Sequence, residues 1–117
     1  MKHRDLGELG GRAHPSRPLA PGLGPLLEAL LAMRTPVEMK AFLDDLCTPA
    51  EIEAIADRWR VVPLLLEDRP YREIHDRTGV SVTTIGRIAR CLSFGAGGYR
   101  LAAGRLRAGG RKGKGAR

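Results

Sequence analysis

The sequence predicts an all-α chain organised around a helix-turn-helix, and three observations carry that prediction. No stretch reads as a strand, whereas leucine, isoleucine, valine and alanine recur at three- and four-residue spacing. Thr-Pro pairs stand at two places where a helix would start. The stretch Tyr71 to Leu92, YREIHDRTGVSVTTIGRIARCL, divides into two short helical patterns around one glycine.

Taken in order, residues 1–22 mix Gly, Pro and charge without period and are expected to be disordered or loosely ordered. A helical domain is expected over 23–107. Leu23 to Met33 opens it, with Leu26, Leu27, Leu30 and Leu31 on one stripe. Thr35-Pro36-Val37-Glu38 and Thr48-Pro49-Ala50-Glu51 then repeat one logic: a Thr cap, Pro at the first helical position and Glu at the third. The first starts a helix to about Cys47 that buries Met39, Phe42, Leu43 and Leu46. The second starts a helix to about Leu66 with Ile52, Ile55, Ala56, Trp59, Val62 and Leu66 at 3–4 spacing. Pro63 falls inside that pattern and predicts a kink or an early end, because proline has no N–H to donate.

The two helices of 71–92 have clear punctuation. Pro70 precedes the first, Gly79 supplies a left-handed stop, and Ser81 caps the second by accepting the N–H of Thr83 or Thr84. Ile74, Val80, Ile85 and Ile88 fall where steeply crossing helices need apolar contacts. His75 sits where a small residue is usual, so the helices are expected to splay, or Gly86 opposite to make room. Val82, Thr83, Gly86, Arg87 and Arg90 remain on other faces, and this geometry suits a DNA major groove. A last helix is expected from Tyr99 to Arg107, then a disordered basic tail over 108–117.

The net charge of +7 is unevenly placed. Residues 37–76 hold five basic and ten acidic side chains, and residues 77–117 hold ten basic and no acidic ones. A basic half that begins inside a candidate recognition unit implies a polyanionic partner. Cys47 and Cys91 lie far apart without a CxxC, which supports neither a metal site nor a disulfide framework and suggests two buried thiols. No cofactor is expected. The apolar run Leu26–Met33 carries Glu28 and lacks the flanks of a signal peptide, and nothing is long enough to span a membrane. A cytoplasmic location is expected.

The stretch LCTPAEIEAIADRWRVVPLLLEDRPYREIHDRTGVSVTTIGRIARCL resembles the Trp repressor superfamily, in which a TP-capped long helix precedes a helix-turn-helix of the form G-x-x-x-x-T-I-x-R. The continuation RCLSFGAGGYRL resembles its YerC/YecD branch. The likeness spans roughly Val37 to Ala103. It implies a Trp-repressor-like helical domain, an intertwined homodimer, and two recognition helices in successive major grooves. On this likeness Ser81, Val82, Thr83 and Gly86 approach double-stranded DNA at the head of the recognition helix. Val82 and the Thr83 methyl would touch thymine methyls, and the Thr83 hydroxyl would bond bases directly or through water. Arg72, Arg87, Arg90 and, less centrally, Arg69 would position phosphates.

The same likeness places a corepressor between two arginines, here Arg58 and Arg87, near Thr48 and Thr84. Two cations suit a small carboxylate effector. Ile88, however, stands where the repressor has glycine, and Cys91 replaces a serine, so tryptophan is not the expected ligand.

A sequence-specific DNA-binding regulator of transcription, most simply a repressor, is therefore the leading reading. A protein-interaction or RNA-associated module could use the same helix-turn-helix shape. A small helical enzyme would need arginines converging with a buried Glu or Gln. No Ser–His–Asp pattern, phosphate-cradling glycine loop or metal spacing is present.

Overall fold

A computed structural model describes residues 20–116, with side-chain surroundings to Gly109, and the described residues form six α-helices and no strand. They are α1 (Leu23–Ala32), α2 (Pro36–Leu46), α3 (Pro49–Leu66), α4 (Tyr71–Thr78), α5 (Val82–Phe94) and α6 (Gly98–Ala116). Most of the expected N-terminal segment lies outside the described residues. The last helix runs on to Ala116, well past Arg107, and no proline interrupts that stretch.

Both Thr-Pro starts work as the sequence predicts. Thr35 Oγ1 accepts the Glu38 N–H at 3.1 Å, while Glu38 Oε1 accepts the Arg34 N–H at 2.8 Å. At α3 the capping box closes fully. Thr48 Oγ1 accepts the Glu51 N–H at 3.2 Å, and Glu51 Oε1 accepts the Thr48 N–H at 2.7 Å. Each pair satisfies backbone donors that a first helical turn leaves free.

Helix α3 does not end early at Pro63 but continues to Leu66. The lost hydrogen bond and ring clash cost about 3 kcal/mol. Val61 and Val62, just ahead of it, are both 0% exposed, and burial of each side chain contributes about 1.5–3 kcal/mol in the opposite direction. Beyond Leu66 the chain turns through Asp68, a left-handed residue at φ 60. The Asp68 N–H donates to Leu65 O at 2.9 Å and the Arg69 N–H to Leu64 O at 3.1 Å. These are the paired bonds of a Schellman end, so the link from α3 to α4 is tightly formed.

The core gathers Val61 and Val62 of α3, Ile74 of α4, Val80 of the turn, and Ile85, Ile88 and Leu92 of α5. Helix α3 packs across α4 and α5, which pack on each other, and α6 lies against α3 and α5. The Trp59 and Tyr99 rings meet at a centroid distance of 6.3 Å, tilted by 36°, and hold α6 in place. All four apolar positions expected inside the helix-turn-helix are buried.

The N-terminal half departs from expectation. No residue of α1 or α2 is buried, Leu46 is 50% exposed and Ile55 is 49% exposed. Met39, Phe42, Leu43 and Ile52 are only partly covered, and Ala56 is exposed. Periodicity shows which residues share a face, but it does not show whether this chain covers that face. Cys91 is also exposed, and Cys47 is half-buried, so the expected burial of both thiols does not hold.

Candidate nucleic-acid interface

Side chains fix the turn between α4 and α5 as firmly as the backbone does. Gly79 takes the left-handed conformation, φ 78, and its N–H donates to His75 O at 2.8 Å. A left-handed residue here favours glycine. Thr78 Oγ1 donates to Ile74 O at 2.7 Å and accepts the Val80 N–H at 3.1 Å. His75 does not wedge between the helices. Its ring lies at the exposed edge, with Nδ1 2.8 Å from Val80 O. Nor does Gly86 make room for it, since a Cβ at Gly86 would find Tyr71 Cε2, 4.0 Å away, as its nearest neighbour.

Ser81 starts α5 as predicted, with Oγ accepting the Thr84 N–H at 3.1 Å. The Ser81 hydroxyl also donates to Thr84 Oγ1 at 3.1 Å. Ile85, Ile88 and Leu92 turn inward, which leaves Ser81, Val82, Thr83, Arg87 and Arg90 exposed and Gly86 half-exposed beneath the Tyr71 ring. The residues expected to meet a ligand thus share the outward face of one helix, with Arg72 exposed on the neighbouring α4.

The arginines around this unit fall into two groups. Arg69 pairs with Glu67 at 3.2 Å and Glu73 at 3.5 Å, and Arg77 pairs with Glu73 at 3.2 Å. Arg60, on α3, reaches the end of α4: Nη2 donates to Arg77 O at 3.2 Å and Nη1 to Thr78 O at 3.5 Å. Asp57 Oδ1 lies 3.4 Å from Arg60 Nη1. A cation there meets the last carbonyls and the negative end of the helix dipole. By contrast, Arg72, Arg87 and Arg90 have no side-chain hydrogen bond or ion pair with any described residue. Sequence reasoning missed Arg60, which reads as part of a solvated face. The adjoining Val61-Val62 pair, at the edge of the buried face, was the available signal.

Around the expected effector position the two threonine hydroxyls are already engaged: Thr48 caps α3, and Thr84 bonds with Ser81. Arg58 is exposed and, among the described residues, pairs with neither Glu51 nor Glu53. A groove of about 770 Å³ between α3 and α6 is lined by Trp59, Pro63, Leu66 and Leu106, with none of Thr48, Arg58, Thr84 and Arg87 among its walls. Ile88 is 2% exposed and belongs to the core. No described cluster of three or more His, Cys, Asp or Glu could hold a metal ion. No described helix is long and apolar enough to cross a membrane.

Six helices, a capped turn and an outward basic second helix define a helix-turn-helix protein. More narrowly, the chain belongs to the Trp repressor family: the family model described as "Trp repressor protein" matches residues 22–107. It is 38% identical over 85 residues to the uncharacterised protein YerC of Bacillus subtilis (strain 168), covering 73% of this chain and 82% of YerC. A TrpR-like protein from Eubacterium eligens ATCC 27750 superposes with a TM-score of 0.71 at 34% identity, over 74% of this chain and 90% of that one. A candidate Trp repressor from Staphylococcus aureus gives a TM-score of 0.72 at 27% identity, over 92% and 95%. Family and fold are those of DNA-binding regulators rather than of enzymes.

Proposed function

We propose that two copies of this chain bind double-stranded DNA as a sequence-specific transcriptional regulator, each placing α5 in the major groove. One observation carries the reading: Arg60, Arg69 and Arg77 are held by carboxylates or carbonyls, whereas Arg87 and Arg90 on the exposed face of α5 and Arg72 on α4 have no partner among the described residues. Unpaired guanidinium groups on one face suit phosphates, which they neutralise with release of counterions. Val82, 51% exposed, and Thr83 lie at the start of α5, where base edges would be met.

The N-terminal half supports pairing. Leu31 at 73%, Val37 at 78%, Leu46 and Ile55 are apolar surface that a monomer gains nothing by displaying. Two recognition helices related by a dyad would sit one helical turn of DNA apart, roughly 34–36 Å.

The regulator acts without tryptophan in this reading. Support comes from Ile88, buried in the core on the inner side of α5, and from Thr48 and Thr84, whose hydroxyl oxygens already accept from the Glu51 N–H and the Ser81 hydroxyl. Binding-site selection from random duplex DNA, at near-physiological salt and without ligand, tests the whole proposal. A recovered palindrome with half-sites one turn apart is the expected result. If no motif emerges, with or without small carboxylates, and binding collapses uniformly with salt, specific DNA reading fails.

A further inference from the structure

Helix α4 is attached to α3 at both ends, and the two attachments differ in kind. At its N-terminal end the short link 67–70 holds it, stiffened by the Schellman bonds around Asp68 and by Arg69 bridging Glu67 and Glu73. At its C-terminal end the Arg60 guanidinium grips the carbonyls of Arg77 and Thr78, backed by Asp57 one turn earlier on α3. Between them lies apolar packing of Val61 and Val62 against Ile74, which carries no donor–acceptor direction.

Building on the DNA-binding reading, we propose that Arg60 is a positioning residue that sets the half-site spacing this protein accepts. Eight residues make α4 about 12 Å long. A lever of that length moves its far end by on the order of 2 Å for each 10° of swing about Pro70. The far end is the turn from which α5 departs, so a swing shifts the N-terminal end of the recognition helix, where Ser81, Val82 and Thr83 lie. Two directional hydrogen bonds from a planar fork remove that freedom. In a two-fold assembly the displacement acts on both recognition helices at once and changes their separation, while each helix keeps its own base-contacting face. Loss of Arg60 therefore acts on spacing and leaves half-site sequence preference alone.

The test compares the full-length protein with Arg60→Met, which keeps the apolar stem and removes the donors, and with Arg60→Lys, which keeps one cation. Affinity is measured on a series of selected sites whose half-site separation varies one base pair at a time. Wild type is expected to fall at least tenfold one base pair from its optimum, Arg60→Met to vary less than threefold across the series, and Arg60→Lys to lie between. The preferred bases within each half-site stay the same in all three. A uniform loss at every spacing, or an optimum as sharp as wild type, overturns the proposal. If wild type itself selects no paired half-sites, the DNA reading has failed, and the latch is then judged without DNA. Spin labels on Cys47 and Cys91, diluted with unlabelled protein, report the distance from the start of α3 to α5. Arg60→Met must broaden that distribution, and an unchanged one rules the latch out.

Discussion

The Nδ1 atom of His75 lies 2.8 Å from the carbonyl oxygen of Val80, so a side chain of α4 fastens the far side of the turn that follows it. With the proton on Nδ1, the ring donates to a carbonyl of an almost fully buried residue, Val80, which is 8% exposed. His75→Ala is expected to lower stability by about 1 kcal/mol, the net worth of one such bond. For a domain this small that is a fall in Tm of about 4–8 °C. A thermal melt equal to that of wild type would mean the bond contributes nothing.

Gly86 separates folding from recognition. A Cβ there meets only Tyr71 Cε2 at 4.0 Å, an ordinary contact, and alanine is favoured over glycine in a helix by about 0.8–1.0 kcal/mol. Gly86→Ala is expected to raise Tm. It should also weaken binding to a selected site about tenfold, because the backbone can no longer approach the base edges as closely; 1.4 kcal/mol is tenfold. Higher Tm with unchanged affinity would remove Gly86 from the interface.

Gly95 shows the opposite behaviour. Its φ of −84 suits any residue, yet a Cβ would stand 2.5 Å from Cys91 O and 3.0 Å from Cys91 Cα, atoms that cannot rotate aside. Gly95→Ala is expected to cost at least the roughly 1–3 kcal/mol typical of overpacking. Gly98→Ala, at the start of α6 with nothing within 4 Å of the new methyl, serves as the clash-free control in the same denaturation series and is expected to cost no stability.

The division of the arginines is open to measurement through salt. Arg87→Ala and Arg90→Ala are each expected to reduce the slope of log affinity against log salt by about 1, as loss of one phosphate contact does. Arg69→Ala should leave the slope unchanged, since its guanidinium already bridges Glu67 and Glu73. Anisotropy titrations of a labelled duplex at several salt concentrations would give all three slopes. An Arg69→Ala slope that fell with the others would mean the bridge opens to meet DNA.

What could be read from the sequence follows the range of the forces involved. Thr35, Thr48, Gly79 and Ser81 act on backbone groups three or four residues away, so the starts of α2, α3 and α5 and the end of α4 were legible. The apolar side of the helix-turn-helix was legible too, because Ile74, Val80, Ile85 and Ile88 repeat at the spacing that two crossing helices require within 22 residues of chain, although α3 supplies much of what covers them. Longer reach defeated the reading. Arg60 acts across 17 and 18 residues, and His75 swings outward to a carbonyl instead of inward as its position suggested. The buried pair in α3 is Val61-Val62, whereas the stripe from Ile52 through Ile55 and Ala56 stays largely uncovered, because burial depends on which surfaces arrive opposite. Of the four residues that share a likeness to a ligand site, Thr48 and Thr84 are engaged locally, by the Glu51 N–H and the Ser81 hydroxyl.

That neither α1 nor α2 buries a residue has a meaning in time as well as in space. If a second copy supplies the missing contacts, maturation of the N-terminal half is a bimolecular event with a rate set by how often two chains meet. Newly made chains would then carry a working reading head before they carry a finished body. Sparse synthesis would delay the switch, and a burst would throw it, with no small molecule involved.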